Sequence, residues 1–550
     1  MLKSVNVNFS ETGSFDLETK GITIFVGPNN SGKSLLLREI EIVVSQDSIP
    51  RDLKIVTDFD IEWPSVEAID NTVEKAKSVT PSTVPIGSII LGRINPNGGR
   101  EASQIEINTL KQFSANETQK GWVTANFIKW GVIRLDGRSR FNLTNDQAGG
   151  DLEAPPPNVL SHLFQDDLAR ENVRALVKDA FNVNFYIDPT NLGQLRIKLA
   201  EGLLPTDEQS LSLSAREFYR AATHIKDASD GVQAFTGIVT AVLSGEYHTI
   251  LIDEPEAFLH PPLARKLGKS LAGIAAKRNG ALMASTHSSD FLMGCVQASP
   301  SVKVVRLEYS QGKSRARSID PKSLENFLKR PLMRSANVIS GLFHDGVIVL
   351  ESDNDRAFYS EIFYRLAEGK PDYPSILFVN AQNKQTIREI IGPLREFGVP
   401  AAAIPDIDIV KDGGKTWIDW LKAAKIPTAL HAGLGQQRAA IDTALKASGK
   451  DMKTDGGFEL LGKADHLAAD VLFDSLESFG VFAVRRGEVE NWLPDLKVPG
   501  KKTDWAVAML EQLGSDTSDP KYVKPSSGDV WAFLEKIVVW IKNPARNGTE

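Results

Sequence analysis

The chain has 550 residues, 42% apolar and 24% charged, with a formal net charge of -7 and a single cysteine, Cys295. That length exceeds what one hydrophobic core organises, and the composition is that of an ordinary globular protein, so two or three domains are expected and dominant disorder is excluded. One cysteine excludes an internal disulfide and a cysteine-rich zinc site, leaving carboxylates as metal ligands, while the negative charge excludes a surface that coats nucleic acid generally.

The amino terminus, MLKSVNVNFS, has no apolar core of signal-peptide length, and no apolar stretch approaches the roughly 20 residues that span a bilayer. A soluble, cytoplasmic protein without membrane contact is expected. The first strong pattern is the apolar run 22–26, read as a buried strand, followed by a Gly-rich turn and the Leu35, Leu36, Leu37 and Ile40 face of a helix. From about 45 to 225 the pattern is mixed, with prolines at 155–157 and a helical stretch over 160–180, and reads as a large insertion or dimerisation region. Buried-strand patterns return at 249–252 and 281–284 around an amphipathic segment at 263–276, so the first α/β domain is split in sequence. Basic residues then cluster: Lys303, Arg306, Lys313, Arg315, Arg317, Lys322, Lys329, Arg330 and Arg334 form a local nucleic-acid surface or, equally, a solvated edge hairpin. After a boundary near 335–345, strands at 347–350, 376–379 and 401–404 alternate with helices around 358–366 and 386–397. The expected domains are 1–340 and 341–550, the second ending in a helical extension.

The turn after the first strand reads Gly27-Pro28-Asn29-Asn30-Ser31-Gly32-Lys33-Ser34, a match to G-x-x-x-x-G-K-[ST] between a strand and a helix. Chance produces such a match in a chain of this length only about 0.02 times. Gly27 and Gly32, with Asn29, Asn30 and Ser31, let backbone N–H groups wrap phosphates, Lys33 reaches the β and γ phosphates, and the Ser34 hydroxyl sits on Mg2+. The strand at 249–252 runs into Asp253-Glu254-Pro255. Asp253 is expected in the Mg2+ shell and Glu254 as the group that orients or deprotonates the attacking water, because phosphoryl transfer rests on positioning and charge stabilisation. ATP and Mg2+ are the implied cofactors.

Two further segments, Ser229-Asp230-Gly231-Val232-Gln233 and Thr286-His287-Ser288, resemble the signature and the switch-histidine loop of ABC ATPases. Singly, Ser229 is an ordinary helix N-cap and His287 a strand-end histidine. In this order they fit the ABC class. The resemblance implies that Ser229, Gly231 and Gln233 meet the γ phosphate bound by an opposite subunit, so two heads enclose two nucleotides and a homodimer or higher even oligomer follows. The missing membrane spans set transporters aside.

The strand at 347–350 ends in Glu351-Ser352-Asp353-Asn354-Asp355, and the strand at 401–404 leads through Pro405 to Asp406-Ile407-Asp408. Carboxylates two residues apart at a strand end can both face a metal, and their hard oxygens suit Mg2+ or Mn2+. Each alone is a surface carboxylate or a solvated turn; together they resemble the two motifs of a Toprim domain. Ser352 stands where that family usually has Gly, and Pro405, which cannot donate a ladder hydrogen bond, requires the strand to end there or lie at an edge. Farther on, the apolar run 481–484 leads into Arg485-Arg486-Gly487-Glu488-Val489-Glu490. This resembles the late carboxylate motif of the overcoming-lysogenization-defect (OLD) nucleases, or else Glu488 and Glu490 begin a helix, where acids suit the dipole.

An ABC head, an insertion and a Toprim segment in this order cover nearly the whole chain and resemble the OLD family. The fold class implied is α/β: an ABC-type P-loop ATPase head with a partly helical insertion, followed by a Toprim α/β domain. The resemblance implies an ATP-hydrolysing DNA endonuclease or nickase, often in anti-phage defence, where a helicase-like protein or a retron reverse transcriptase with its DNA–RNA is a partner. Glu351, Asp406 and Asp408 would be catalytic and, with Asp355 and Glu490, would hold one or two Mg2+ or Mn2+ ions that activate water and stabilise the leaving oxygen of a phosphodiester. Lys524 and Lys536 are the candidates for a supplementary lysine. DNA is placed ahead of RNA as substrate. Two other functions stay open: cleavage of RNA, tRNA in particular, because the metal carboxylates do not specify the sugar, and an ATP-dependent sensor or scaffold with a silent Toprim domain.

Overall fold

Leu2, Val5, Val7 and Phe9 are buried while Lys3 and Asn8 face solvent, and this near-alternation makes β1 (Leu2–Phe9), paired antiparallel with β2 (Gly13–Glu18). The chain then enters β3 (Gly21–Val26), buried on both faces from Ile22 onward, turns through residues 27–32 and starts α1 (Lys33–Ser45), whose Leu36, Leu37, Ile40, Val43 and Val44 are buried. β4 (Val56–Ile61) returns to pair with β1. A hairpin of β5 (Ser88–Ile94) and β6 (Arg100–Glu106) precedes β7 (Val132–Leu135). Next come α2 (Asp167–Phe181), a hairpin of β8 (Asn184–Asn191) and β9 (Gln194–Ala200), and α3 (Asp230–Leu243). The remainder of the first half is β10 (Thr249–Asp253), α4 (Pro261–Lys277), β11 (Ala281–Ser285), α5 (Ser289–Ala298), β12 (Lys303–Ser310) and β13 (Lys313–Ile319).

This computed structural model describes residues 1–81, 83–245, 247–299, 301–331, 333 and 338–549. The chain divides into two units: Met1–Val26, Asn30–Tyr309 and Lys313–Ala316 make the first, and Gly27–Asn29, Ser310–Gly312 and Arg317–Glu550 the second. Among the described residues the largest sheet has six strands in the order β13-β12-β3-β11-β10-β7. Its pairs β12 with β3, β3 with β11, β11 with β10 and β10 with β7 are parallel, and the inner strands β3, β10 and β11 accordingly read as apolar runs.

In the second unit β14 (Gly346–Leu350), wholly buried, is followed by α6 (Asp353–Ala367), β15 (Ile376–Asn380), α7 (Lys384–Glu396) and β16 (Ala401–Ile404). The strands form a parallel sheet in the order β15-β14-β16. Helices α8 (Thr428–Ala447), α9 (Lys463–Ser478) and α10 (Asp529–Lys542) follow. Trp531, Leu534 and Ile537 of α10 share one core with Ile348, Leu350, Phe358 and Ile404, so the helical extension is part of the packing of this unit.

Several expectations are modified. The 45–225 stretch is no self-contained insertion, because β4 completes the sheet of β1 and β2 and β7 pairs with β10. The helical stretch at 160–180 is two helices, broken at Asp166, whose Oδ1 accepts from the Ala169 N–H at 2.9 Å and so caps α2. The apolar run 481–484 meets β16 only through isolated parallel bridges, Ala403 with Val481 and Asp406 with Val484. The basic cluster lies largely on β12 and β13 and is locally neutralised: Lys303 pairs with Glu18, Lys313 and Arg315 with Glu11, and Lys329 with Glu325. These pairs fit the solvated edge hairpin, except that Arg306 is buried and pairs with Glu308. Arg334 and residues 335–337 of the expected boundary lie outside the described residues. Among the described residues no helix is long and apolar enough to cross a membrane.

Candidate nucleotide and phosphodiester sites

Register brings the motif ends of the first unit together. Phe25 of β3 pairs with Ser285 of β11, which pairs with Asp253 of β10, so the P-loop, the Asp-Glu pair and the Thr286-His287 segment leave the same edge of a parallel sheet, where such sheets place ligands. The loop bends through left-handed residues: Asn30 at φ 62 and Gly32, the N-cap of α1, at φ 95. Ser34 Oγ donates to Asp253 Oδ1 at 2.9 Å, and Ser285 Oγ donates to the same oxygen. Lys33 is buried, with Nζ donating to Ser31 Oγ at 3.3 Å. Burial lowers its pKa to about 8, opposed by Glu254, Asp253 and Glu256.

Glu254 takes a left-handed φ of 47, and its Oε1 stands 3.6 Å from His287 Nε2. A non-glycine residue holds that conformation only where its surroundings impose it. Here the fully buried Arg140 guanidinium donates to the carbonyls of Asp253 at 2.8 Å and Glu254 at 2.9 Å. Glu256, whose carboxyl is pushed up chiefly by burial, accepts from the His287 N–H at 2.7 Å and so ties the histidine loop to the turn. Sequence reading missed Arg140 and Glu256. Glu256 was within reach, three residues past Asp253, whereas nothing in the 138–142 segment marks Arg140.

Ser229 is the N-cap residue of α3, yet its hydroxyl takes no capping hydrogen bond and the residue is exposed. The ordinary N-cap reading therefore does not account for it. Gly231 approaches the chain so closely that an added Cβ would stand 2.8 Å from the Phe258 carbonyl oxygen. Gln233 faces inward instead, its Nε2 donating to the Ala228 carbonyl at 2.9 Å.

In the second unit, β14 and β16 are adjacent and in register, Leu350 opposite Ile404, so Glu351 and Asp406 leave neighbouring strand ends. Glu351 Oε1 accepts from the Asp406 N–H at 3.1 Å. Ser352 caps α6 by accepting from the Asp355 N–H at 3.2 Å, while Asp355 Oδ2 accepts from the Ser352 N–H at 3.0 Å. A hydroxyl at this position thus adds a capping box that Gly could not form. Pro405 follows the last residue of β16, as its missing N–H requires, and its carbonyl accepts from the Val484 N–H at 3.0 Å.

Charge accumulates here. Burial, then the Asp406 charge, raises the Asp355 carboxyl to about 7 and pushes Glu351 up as well, and Glu490 adds to the repulsion at Asp355. Asp406 is also raised, because its burial outweighs the opposing pull of Lys453. The Lys453 ammonium lies 2.5 Å from Asp406 Oδ2, and Lys384 Nζ lies 3.1 Å from Asp408 Oδ1 and 3.4 Å from Asp412 Oδ1. Glu490 sits in a single 3-10 turn, Val489–Asn491, with Oε1 accepting from the Lys502 N–H at 2.8 Å; no longer helix begins there.

With the two ammonium groups set among the acids, no group of three or more carboxylates among the described residues is arranged to hold a cation as it stands. The donor chemistry nonetheless fits one: hard oxygens on carboxyls pushed up first by burial and then by neighbouring charge are what a divalent cation relieves. Lys453 and Lys384 escaped the sequence reading, since neither belongs to a motif. The candidate Lys536 pairs with Glu477 instead.

Two family profiles match the chain. Residues 119–294 match "AAA domain, putative AbiEii toxin, Type IV TA system", and residues 342–408 match "Overcoming lysogenization defect protein-like, TOPRIM domain". The chain is 24% identical over 456 residues to an OLD nuclease of Thermus scotoductus, covering 74% of this chain and 82% of that protein. Among solved structures, the SmcHead bound to the C-winged helix domain of ScpA has 12% identity and a TM-score of 0.34, over 60% of this chain and 99% of that one. The SMC head domain from Thermotoga maritima has 12% identity and a TM-score of 0.30, over 58% and 99%. Fold and motifs thus define a P-loop ATPase domain joined to a Toprim domain, two types that use nucleotide and divalent metal. Its second half carries a segment similar to the TOPRIM domain of overcoming-lysogenization-defect-like proteins, and most of the chain is similar to an OLD nuclease.

Proposed function

We propose that this chain is an ATP-hydrolysing, Mg2+-dependent DNA endonuclease or nickase that works as a homodimer in anti-phage defence. The observation that carries the reading is the Glu351 Oε1 to Asp406 N–H hydrogen bond of 3.1 Å: it draws together the ends of two adjacent strands that each deliver a metal-type carboxylate, in a chain that also carries a P-loop motif with its Asp253-Glu254 pair.

In the ATPase unit Lys33, whose pKa is lowered by burial against the pull of Glu254, Asp253 and Glu256, binds the β and γ phosphates. Glu254, set by Arg140 and faced by His287, orients the attacking water and accepts its proton. Ser34 and Asp253 would hold the Mg2+ that accompanies ATP. Ser229, exposed at the start of α3, and Gly231, packed close to the Phe258 carbonyl, complete the site of a second copy.

In the Toprim unit Glu351, Asp406 and Asp408, with Asp355 and Glu490, would hold the divalent cation, which supplies a water of lowered pKa and charge stabilisation at the leaving oxygen. Lys453 and Lys384 balance the carboxylates and offer positive charge to a phosphodiester. Purified protein incubated with supercoiled plasmid and with total tRNA, in Mg2+ or Mn2+, tests the reading. Nicked or linear plasmid is expected. Cleavage of tRNA alone replaces DNA by RNA as substrate, and no cleavage of either points to a sensor or scaffold.

A further inference from the structure

The first unit contains a cavity of about 740 Å³ that the ATPase chemistry does not use. Its lining includes Val132 and Thr249, the first residues of β7 and β10, so it opens at the amino-terminal ends of the parallel strands, opposite the edge from which Asp253 and the P-loop emerge. The volume lies within the roughly 300–1,000 Å³ range of small-molecule sites.

The walls combine two chemistries. Trp63, Phe127 and Trp130, all half-buried, supply aromatic surface. Arginines supply charge, but not equally. Arg93 is committed, with Nε 2.6 Å from Glu101 Oε1 and Nη1 donating to the Lys129 carbonyl at 3.0 Å. Arg278 donates to the Val242 carbonyl at 3.1 Å. Arg100 differs: it lines the cavity, half-buried, and no carboxylate among the described residues pairs with it. Desolvation alone disfavours its charge, yet a guanidinium does not give up its proton in a protein. The fold therefore holds a partly desolvated, permanent cation beside aromatic walls with no ion-pair partner among the described residues, Glu62 being an exposed carboxylate of the same lining.

We propose that this cavity is a second ligand site, distinct from the P-loop, for a nucleoside phosphate: the base against the Trp63, Phe127 and Trp130 walls and the phosphate on Arg100. A planar guanidinium binds phosphate oxygens in pairs, and partly desolvated aromatic walls favour a planar base over a compact anion such as inorganic phosphate.

The test uses the full chain carrying Lys33→Ala, so that the P-loop no longer contributes. Equilibrium dialysis with each of the four radiolabelled ribonucleoside monophosphates and with ATP, and with inorganic phosphate as control, measures binding. One saturable site per chain for at least one nucleotide is expected, weakened tenfold or more by Arg100→Gln in the same background and weakened again by Trp63→Leu. Circular dichroism and melting curves establish that these variants remain folded; if Arg100→Gln does not fold, Arg100→Lys, which keeps charge but loses the paired donors, takes its place. Absence of saturable binding by every nucleotide at millimolar concentration overturns the proposal. So does nucleotide binding indifferent to both substitutions, or inorganic phosphate binding as tightly as the best nucleotide.

Discussion

Ser34 Oγ donates to Asp253 Oδ1 at 2.9 Å although 219 residues separate them in sequence. The P-loop serine and Asp253, the last residue of β10, are thus already joined as the pair proposed to hold a nucleotide-bound Mg2+.

From that arrangement, Lys33→Ala and Glu254→Gln separate binding from hydrolysis. Lys33→Ala should weaken ATP binding by about 100-fold or more, since a buried charge-assisted contact is lost. Glu254→Gln should bind ATP normally and hydrolyse it about 100-fold more slowly, because the amide orients water but takes no proton. Fluorescent-nucleotide titration and a steady-state phosphate-release assay measure both. An unchanged rate in Glu254→Gln removes that residue from the water-handling role.

If Ser229 serves a second copy, Ser229→Arg abolishes ATPase activity while ATP binding survives. Mixing it with Lys33→Ala should then restore about a quarter of the wild-type rate, as half of randomly paired dimers are mixed and each holds one intact site of two. The readout is ATPase activity of the mixture. No recovery after verified subunit exchange argues against a shared site.

Glu351→Ala and Asp406→Ala should each reduce phosphodiester cleavage by about 1,000-fold, since a lost ligand misplaces both cation and water. ATP hydrolysis should change less than twofold, because the lysine, serine and carboxylates proposed for ATP hydrolysis, Lys33, Ser34, Asp253 and Glu254, are separate from Glu351 and Asp406. Plasmid nicking and ATPase assays run side by side decide this. Wild-type cleavage by both variants discards the Toprim site as catalytic, and joint collapse of the two activities discards their independence.

The Asp355 carboxyl, raised from 3.8 to about 7, and the raised Glu351 make stability depend on pH. A carboxyl with a raised folded pKa keeps a proton that the unfolded chain has released, so its contribution is complete below the unfolded value and is lost as pH rises through the folded one. Metal-free protein should melt a few degrees lower at pH 8 than at pH 5. Mg2+ should raise the melting temperature more at pH 8, where no proton competes for the same oxygens. Scanning calorimetry in EDTA and in Mg2+ checks both signs; a metal-induced shift that shrinks toward pH 8 contradicts the assignment of these carboxyls.

Sequence by itself determined the elements whose periodicity or motif is local. The apolar runs at 22–26, 249–252, 281–284, 347–350 and 401–404 are strands because parallel strands buried on both faces carry no polar interruption, and the P-loop and the Asp406-x-Asp408 pair declare themselves by spacing. Only the tertiary structure decided what depends on pairing across long stretches of chain. β7 joins the central sheet from inside an apparent insertion, as four residues are too short to signal a partner over 100 residues away. Arg140 reaches the Glu254 turn, and Lys453 and Lys384 reach the Toprim carboxylates. A lone basic side chain looks the same in sequence whether it is solvated or buried against an acid, because the energy that places it there comes from desolvation and charge pairing, which exist only once the fold has closed around it.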